Sequence, residues 1–135
     1  MKLAVFACLL LIVPFQAEAS SCYGKTVQIW VSNGRNLHEG LGRPDPYVVV
    51  KIGSDSKKTK VINSSTNPSW MEKMEFPEAT SDMLQMEVWD KDDFTADDKL
   101  GTCMVPMSSN GHDFRTIECK MDDNTGVVNA FYRCF

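Results

Sequence analysis

The chain has 135 residues, a formal net charge of −4 and hydrophobic side chains at 43% of its positions. That suffices for one ordinary domain with its own core. A mild acidic excess, with no basic patch interleaved with aromatics, excludes a general binder of nucleic acid.

The first stretch, MKLAVFACLLLIVPFQAEAS, carries Lys2, runs apolar from Leu3 to Phe15 and reaches the small-residue ending Ala17-Glu18-Ala19. This is the pattern of a secretory signal peptide cut after Ala19. The apolar run is short of the ~20 residues that a membrane span needs. The expectation is a signal peptide over 1–19 and a single domain over 20–135, secreted and extracellular, with secretory granules as a route. Removing Lys2 and Glu18 together leaves the charge at −4. Cys8 leaves with the signal. Cys22, Cys103, Cys119 and Cys134 remain, an even number that in a secreted chain suggests two disulfides, with three pairings open. Zinc is the poorer reading, because no two cysteines have a CxxC spacing and His38 and His112 lie far from them in sequence.

The remaining elements read as short strands. Val27, Ile29 and Val31 alternate with Gln28, Trp30 and Ser32, which is the period of a strand. Pro46 to Gly53 is β-branched and bounded by Pro and Gly, and Lys57 to Ile62 follows a short polar turn. Trp70 to Phe76 follows the turn signal Asn67-Pro68. Leu84, Met86 and Val88 alternate with Gln85, Glu87 and Trp89; LGTCMV from Leu100, FRTIECK from Phe114 and GVVNAFYRC from Gly126 complete the series. Eight evenly spaced strands without an amphipathic helix predict an all-β, antiparallel sandwich. Trp30, Trp70 and Trp89 sit in or beside strands, which marks them as packing residues rather than a stacking surface for bases or sugars.

Between two of these strands lies VWDKDDFTADDKLG, with five aspartates from Asp90 to Asp98. Each close pair of like charges costs about 3 kcal/mol at roughly 5 Å and an effective dielectric near 20. A calcium ion, which takes six to eight oxygen ligands, would relieve that repulsion. An EF-hand is excluded by register. Counted from Asp90, Phe94, Thr95 and Gly101 fall where an acid, a glycine and a glutamate belong. A single loop rarely completes a cage, so a second acidic loop is required. NLHEGLGRPDPYVVV supplies Glu39 and, six residues on, Asp45 at the start of a strand.

Glu39, Asp45-Pro46-Tyr47, Asn67-Pro68-Ser69-Trp70 and VWDKDDFTADDKLG, in this order, resemble the three loops of C2 domains. Within that family the tail, LGTC then IEC then FYRC, is similar to the C-terminal C2 domain of perforin, without its pore-forming domain. The resemblance implies an eight-stranded C2-type sandwich with calcium-binding loops at one end. It implies two calcium ions held by Asp45, Asp90, Asp92 and Asp98, with Asp97 matching an acidic position of the perforin-type loop. Glu39 stands where Asp is usual, and Ala96 where the perforin type is acidic. The resemblance also implies the pairs Cys103–Cys119 and Cys22–Cys134. It implies docking on phospholipid membrane in the presence of calcium, with Leu41 and Phe94 as apolar tips that contact lipid.

No enzyme is expected. There is no GxSxG elbow, neither histidine has a nucleophile beside it, and Gly40-Leu41-Gly42 runs into Asp45 where a dinucleotide loop has its third glycine. Asn63-Ser64-Ser65 is a glycosylation sequon in a loop. The competing reading is a secreted protein–protein interaction module whose calcium ions only stiffen the loops.

Overall fold

In a computed structural model that describes residues 20–38 and 40–135, eight strands follow in order. They are β1 (Val27–Arg35), β2 (Pro46–Ile52), β3 (Asp55–Lys58), β4 (Ser69–Phe76), β5 (Met83–Asp90), β6 (Asp98–Pro106), β7 (Arg115–Lys120) and β8 (Val127–Cys134). The expected signal peptide, 1–19, and Glu39 lie outside the described residues.

The strands form two four-stranded antiparallel sheets, ordered β4-β1-β8-β7 and β3-β2-β5-β6. Period-two alternation decides which side chains meet between them. Val48, Val50 and Ile52 of β2 and Leu84, Met86 and Val88 of β5 face Val27, Ile29 and Val31 of β1 and Val128, Ala130 and Tyr132 of β8, and all are buried. Each fully buried aliphatic side chain of this kind stabilises the fold by about 1.5–3 kcal/mol relative to exposure. Trp70 joins this core, while Trp30 stacks on Phe131 at 6.2 Å on the outer face of its sheet.

One strand differs from the expectation. Its ladder covers Asp55–Lys58 rather than 57–62. At Thr59 the side-chain hydroxyl accepts the Val48 N–H at 2.9 Å, and the Lys60 N–H then donates to Glu72 Oε2 at 2.8 Å. The Thr59 N–H still donates to Val48 O at 2.9 Å, but a side-chain oxygen takes the Val48 N–H in place of a main-chain carbonyl, so the ladder stops.

The start of β1 meets the C-terminus. Val27 pairs with Cys134, and Thr26 and Phe135 exchange N–H to O bonds of 3.0 Å. Cys22 is bonded to Cys134 across 112 residues of sequence, and Cys103 to Cys119 across 16, with Cα separations of 5.7 and 5.8 Å. The second bond ties the edge strand β6 of one sheet to the edge strand β7 of the other.

At the opposite pole, three loops are hydrogen-bonded into one unit. Leu37 N–H reaches Thr66 O, Ser65 N–H reaches Pro44 O, and Lys91 N–H reaches Asp45 O. Leu37, fully buried, anchors the first loop in the core.

Candidate metal centre

Strand register builds the acidic site. Pro46 pairs with Asp90, and Asp90 pairs with Asp98, so three neighbouring strands end at the same level. Between Val88–Gly101 and Trp89–Lys99 the ladder slips by one residue at Leu100. Such a bulge re-aims the side chains beyond it. Here it sets Asp98 directly across from Asp90, the arrangement in which cross-strand side chains come within about 5 Å.

Carboxylate oxygens of Asp90, Asp92 and Asp98 all lie within 4.8 Å of one another. Asp45 is adjacent. Its N–H donates to Asp90 Oδ1 at 2.8 Å, and its own Oδ1 accepts the Ser64 N–H at 2.6 Å. Asp97 is turned differently. Its Oδ2 accepts the hydroxyl of Tyr47 and its Oδ1 accepts the Asp92 N–H at 3.0 Å.

The electrostatics reflect this crowding. Burial pushes the Asp90 carboxyl up from its ordinary value, and the Asp92, Asp45 and Asp97 carboxylates add to the rise against the Asp45 N–H. Asp92 is raised first by the hydrogen bond it shares with Asp98, then by partial burial. Asp97 is held below the carboxylate range by the Tyr47 hydroxyl and the Asp92 N–H. Tyr47 is pushed up to about 12 by burial and by Asp97.

These residues fit a hard divalent cation. The donors are all oxygen, with no imidazole or thiolate among the clustered groups, which favours calcium or magnesium over zinc. Asp90 and Asp92, whose carboxyls are pushed up when no cation is present, have their charge relieved when one binds. Asp45 can add a fourth carboxylate.

The apolar side chains expected at the tips are in the open. Leu41 and Phe94 are 103% and 98% exposed, with no core of their own to cover. Asn63 is exposed in the turn that meets Asp45.

A second feature escaped the sequence reading. Tyr47, Val49, Lys51, Ser56, Lys57, Lys58, Glu87 and Trp89 line a groove of about 450 Å³ on the outer face of β3-β2-β5. Glu87, buried, is paired with Lys51 at 3.1 Å and Lys99 at 3.7 Å, which leaves Lys57 and Lys58 without an ion pair among the described residues. The signal in the sequence was Lys57-Lys58 one strand away from Tyr47, and only the pairing of β2 with β3 brings them together.

A sandwich of this order, with acids on the loops at one pole, defines a class, and comparison with known proteins agrees. The C2 domain family matches residues 25–121, and the chain belongs to that family. It is 46% identical over 77 residues to Protein C2-DOMAIN ABA-RELATED 11 of Arabidopsis thaliana, covering 56% of this chain and 46% of that protein. It is 33% identical over 98 residues to Multiple C2 and transmembrane domain-containing protein 1 of Rattus norvegicus, covering 70% of this chain and 10% of that one. The chain thus spans about half of one relative and a tenth of the other. Among solved structures, a C2 domain of plant Extended Synaptotagmin 1 superposes with a TM-score of 0.68 at 25% identity, covering 84% of this chain and 97% of that domain. Human GIVD cytosolic phospholipase A2 superposes with a TM-score of 0.72 over only 17% of its own chain, at 20% identity, so it speaks for the fold alone.

The relatives overturn the expected localisation. They are C2-DOMAIN ABA-RELATED, Multiple C2 and transmembrane domain-containing and synaptotagmin proteins, which speaks against the expected secreted, extracellular placement. That expectation rested on the signal-peptide pattern of residues 1–19, which lie outside the described residues. Cysteine pairing reports that two sulfurs are close enough to bond, and by itself names no compartment.

Proposed function

We propose that this chain is a calcium-dependent phospholipid-binding module that acts by docking on membranes and catalyses no reaction. One observation carries the reading. The Asp90, Asp92 and Asp98 carboxylates are gathered at the pole where Leu41 and Phe94 stand fully exposed. Asp45, Asp90, Asp92 and Asp98 would hold the metal, with Glu39 as a further carboxylate of the same loop and two ions as the family resemblance implies. Bound calcium would turn an acidic pole cationic and attract phosphate oxygens. The relatives support membrane work, one of them being named for its transmembrane domains. The finer likeness, to a perforin-type C2 domain without pore formation, is supported by the bond that joins two of the three cysteines of its tail, Cys103 and Cys119.

Each part of the pole has its own contribution. Without calcium, the acidic loops are repelled by anionic headgroups. With calcium, the attraction is electrostatic and falls with salt. Phe94 adds a salt-insensitive part, worth about 1.5–3 kcal/mol if its ring is fully buried and less at an interface. Phe94→Ala is expected to weaken liposome binding by about tenfold, the equivalent of 1.4 kcal/mol. Calcium affinity measured without lipid should stay within a factor of two of wild type, a limit of about 0.4 kcal/mol. Leu41→Ala should show the same pattern more faintly. Sedimentation with liposomes of several headgroups, in calcium and in chelator, tests the whole reading. A wild-type protein that binds calcium but no liposome would leave the loops as a stiffened protein-binding surface instead.

A further inference from the structure

We infer that Tyr47 and Asp97 are positioning residues that latch the β5–β6 loop shut and so preset the Asp92 carboxylate for the ion. The inference rests on the calcium reading above and deepens it. It assigns Asp97 a place behind the site rather than in its ligand set, and it gives a role to a tyrosine that lies outside the carboxylate cluster.

The geometry is a relay from the rigid sheet to the loop. Tyr47 belongs to β2 and is fixed by its pairing with Trp89 of β5. Its hydroxyl donates to one oxygen of Asp97, and the other oxygen accepts the main-chain N–H of Asp92 at 3.0 Å. Both oxygens of Asp97 are therefore engaged, and this carboxylate stands apart from the group formed by Asp90, Asp92 and Asp98. Asp97 is half-buried, whereas Asp93, Phe94, Thr95 and Ala96 at the tip are exposed.

The loop needs such a restraint. Residues 91–97 lie outside the strands, and their first member is tied to the body by the Lys91 N–H to Asp45 O bond of 3.0 Å. Five aspartates in and beside this loop repel one another before any ion arrives, which favours an open and varied loop. An open loop must be ordered when the ion binds, and that ordering weakens affinity. Anchoring Asp97 to β2 closes the loop from the sheet side, and the Asp92 N–H bond sets the backbone from which the Asp92 carboxylate projects. A carboxylate suits this post because it accepts from two donors at once.

The test separates a latch from a ligand. Calcium titration calorimetry without lipid is run on wild type, Tyr47→Phe, Asp97→Asn, Asp97→Ala and the Tyr47→Phe/Asp97→Ala pair. Exchange of the Asp92 amide hydrogen is followed in EDTA. Tyr47→Phe, which removes one oxygen atom, should weaken calcium binding by about three- to tenfold and speed Asp92 exchange, as loss of a hydrogen bond to a charged group does. Asp97→Asn keeps an oxygen for the Asp92 N–H and an amide for the Tyr47 oxygen, so it should stay within about threefold of wild type. Asp97→Ala should lose at least as much as Tyr47→Phe, and the pair should be no worse than Asp97→Ala alone, as for residues of one network. If Asp97 is a ligand instead, Asp97→Asn falls as far as Asp97→Ala while Tyr47→Phe binds like wild type; that result overturns the latch. Unchanged Asp92 exchange in Tyr47→Phe overturns it as well. A wild-type chain that takes up no calcium sinks the metal reading itself, an outcome distinct from both.

Discussion

Asp90→Asn/Asp92→Asn is expected to abolish the calcium-induced rise in melting temperature, while the metal-free variant is at least as stable as wild type. The two halves have one cause. Asp90 is buried with its carboxyl pushed up, and Asp92 is raised by the hydrogen bond it shares with Asp98. For an acid whose folded pKa lies above its unfolded value, ionisation opposes folding. The penalty is absent below the unfolded pKa, grows between the two values and is complete above the folded one. Where these carboxyls are ionised, the metal-free wild type carries that penalty, and Asn carries none. Asn also retains the oxygen that Asp90 offers to the Asp45 N–H at 2.8 Å, so the loop contact survives. Calcium stabilises the wild type by binding only the folded state, about 1.4 kcal/mol at tenfold over its dissociation constant. That corresponds to a rise of about 5 °C or more for a domain of this size. Affinity in the double variant should fall on the order of a hundredfold or more, since even outer partners of a metal cost 10–100-fold. The wild-type calcium response should also shrink as pH falls through the raised carboxyl values, because protons compete for the same oxygens. Scanning fluorimetry at several calcium concentrations and two pH values reads all of this. A calcium response that survives in the double variant would sink the assignment of the site.

Removing the Cys22–Cys134 bond should cost more stability than any other single covalent change in the oxidised protein. The bond closes 112 residues of sequence, and the chain-entropy account of such a loop gives about 4.7 kcal/mol, against about 3 kcal/mol for the 16-residue separation of Cys103 and Cys119. The native contacts around it do not depend on it. Thr26 and Phe135 still exchange their two hydrogen bonds, and β1 still pairs with β8 from Val27 to Arg35. The loss therefore arises mainly in the unfolded chain, whose ends are set free. Cys22→Ala/Cys134→Ala should lower the denaturant midpoint further than Cys103→Ala/Cys119→Ala, with calcium binding retained in the folded fraction. The opposite ranking would show that the long loop is already compact when unfolded.

How much was visible in advance differs from element to element. β1 and β5 were legible because Val27-Ile29-Val31 and Leu84-Met86-Val88 repeat every second residue, and a buried sheet face demands that period, while β2 was legible as a β-branched run bounded by Pro46 and Gly53. β3 was misplaced because Thr59 competes for the ladder with its own hydroxyl, and a β-branched residue otherwise reads as strand. The acids of the β5–β6 loop were countable, but their division of labour was not. Asp97 and Asp98 are neighbours with the same side chain. One faces the Asp90 group and the other faces Tyr47, because the chain enters β6 between them and Leu100 bulges out of register. The Lys57, Lys58 and Tyr47 groove was invisible for a related reason, since it exists only once β2 and β3 are paired.

By itself, then, the sequence determined the all-β architecture, the number of strands and the chain segments that carry the charge. Those are consequences of local pattern, since the apolar period follows from the pleat and loops take the residues a sheet cannot bury. What lies across from what was decided only by the tertiary structure. Asp90 meets Asp98 and Pro46 through ladder register, Tyr47 reaches Asp97 across 50 residues of sequence, and Cys22 reaches Cys134 because the first and last strands are neighbours. Contacts of that range depend on the packing of both sheets at once, and a sheet shifted by a single residue would turn each of these side chains to the other face.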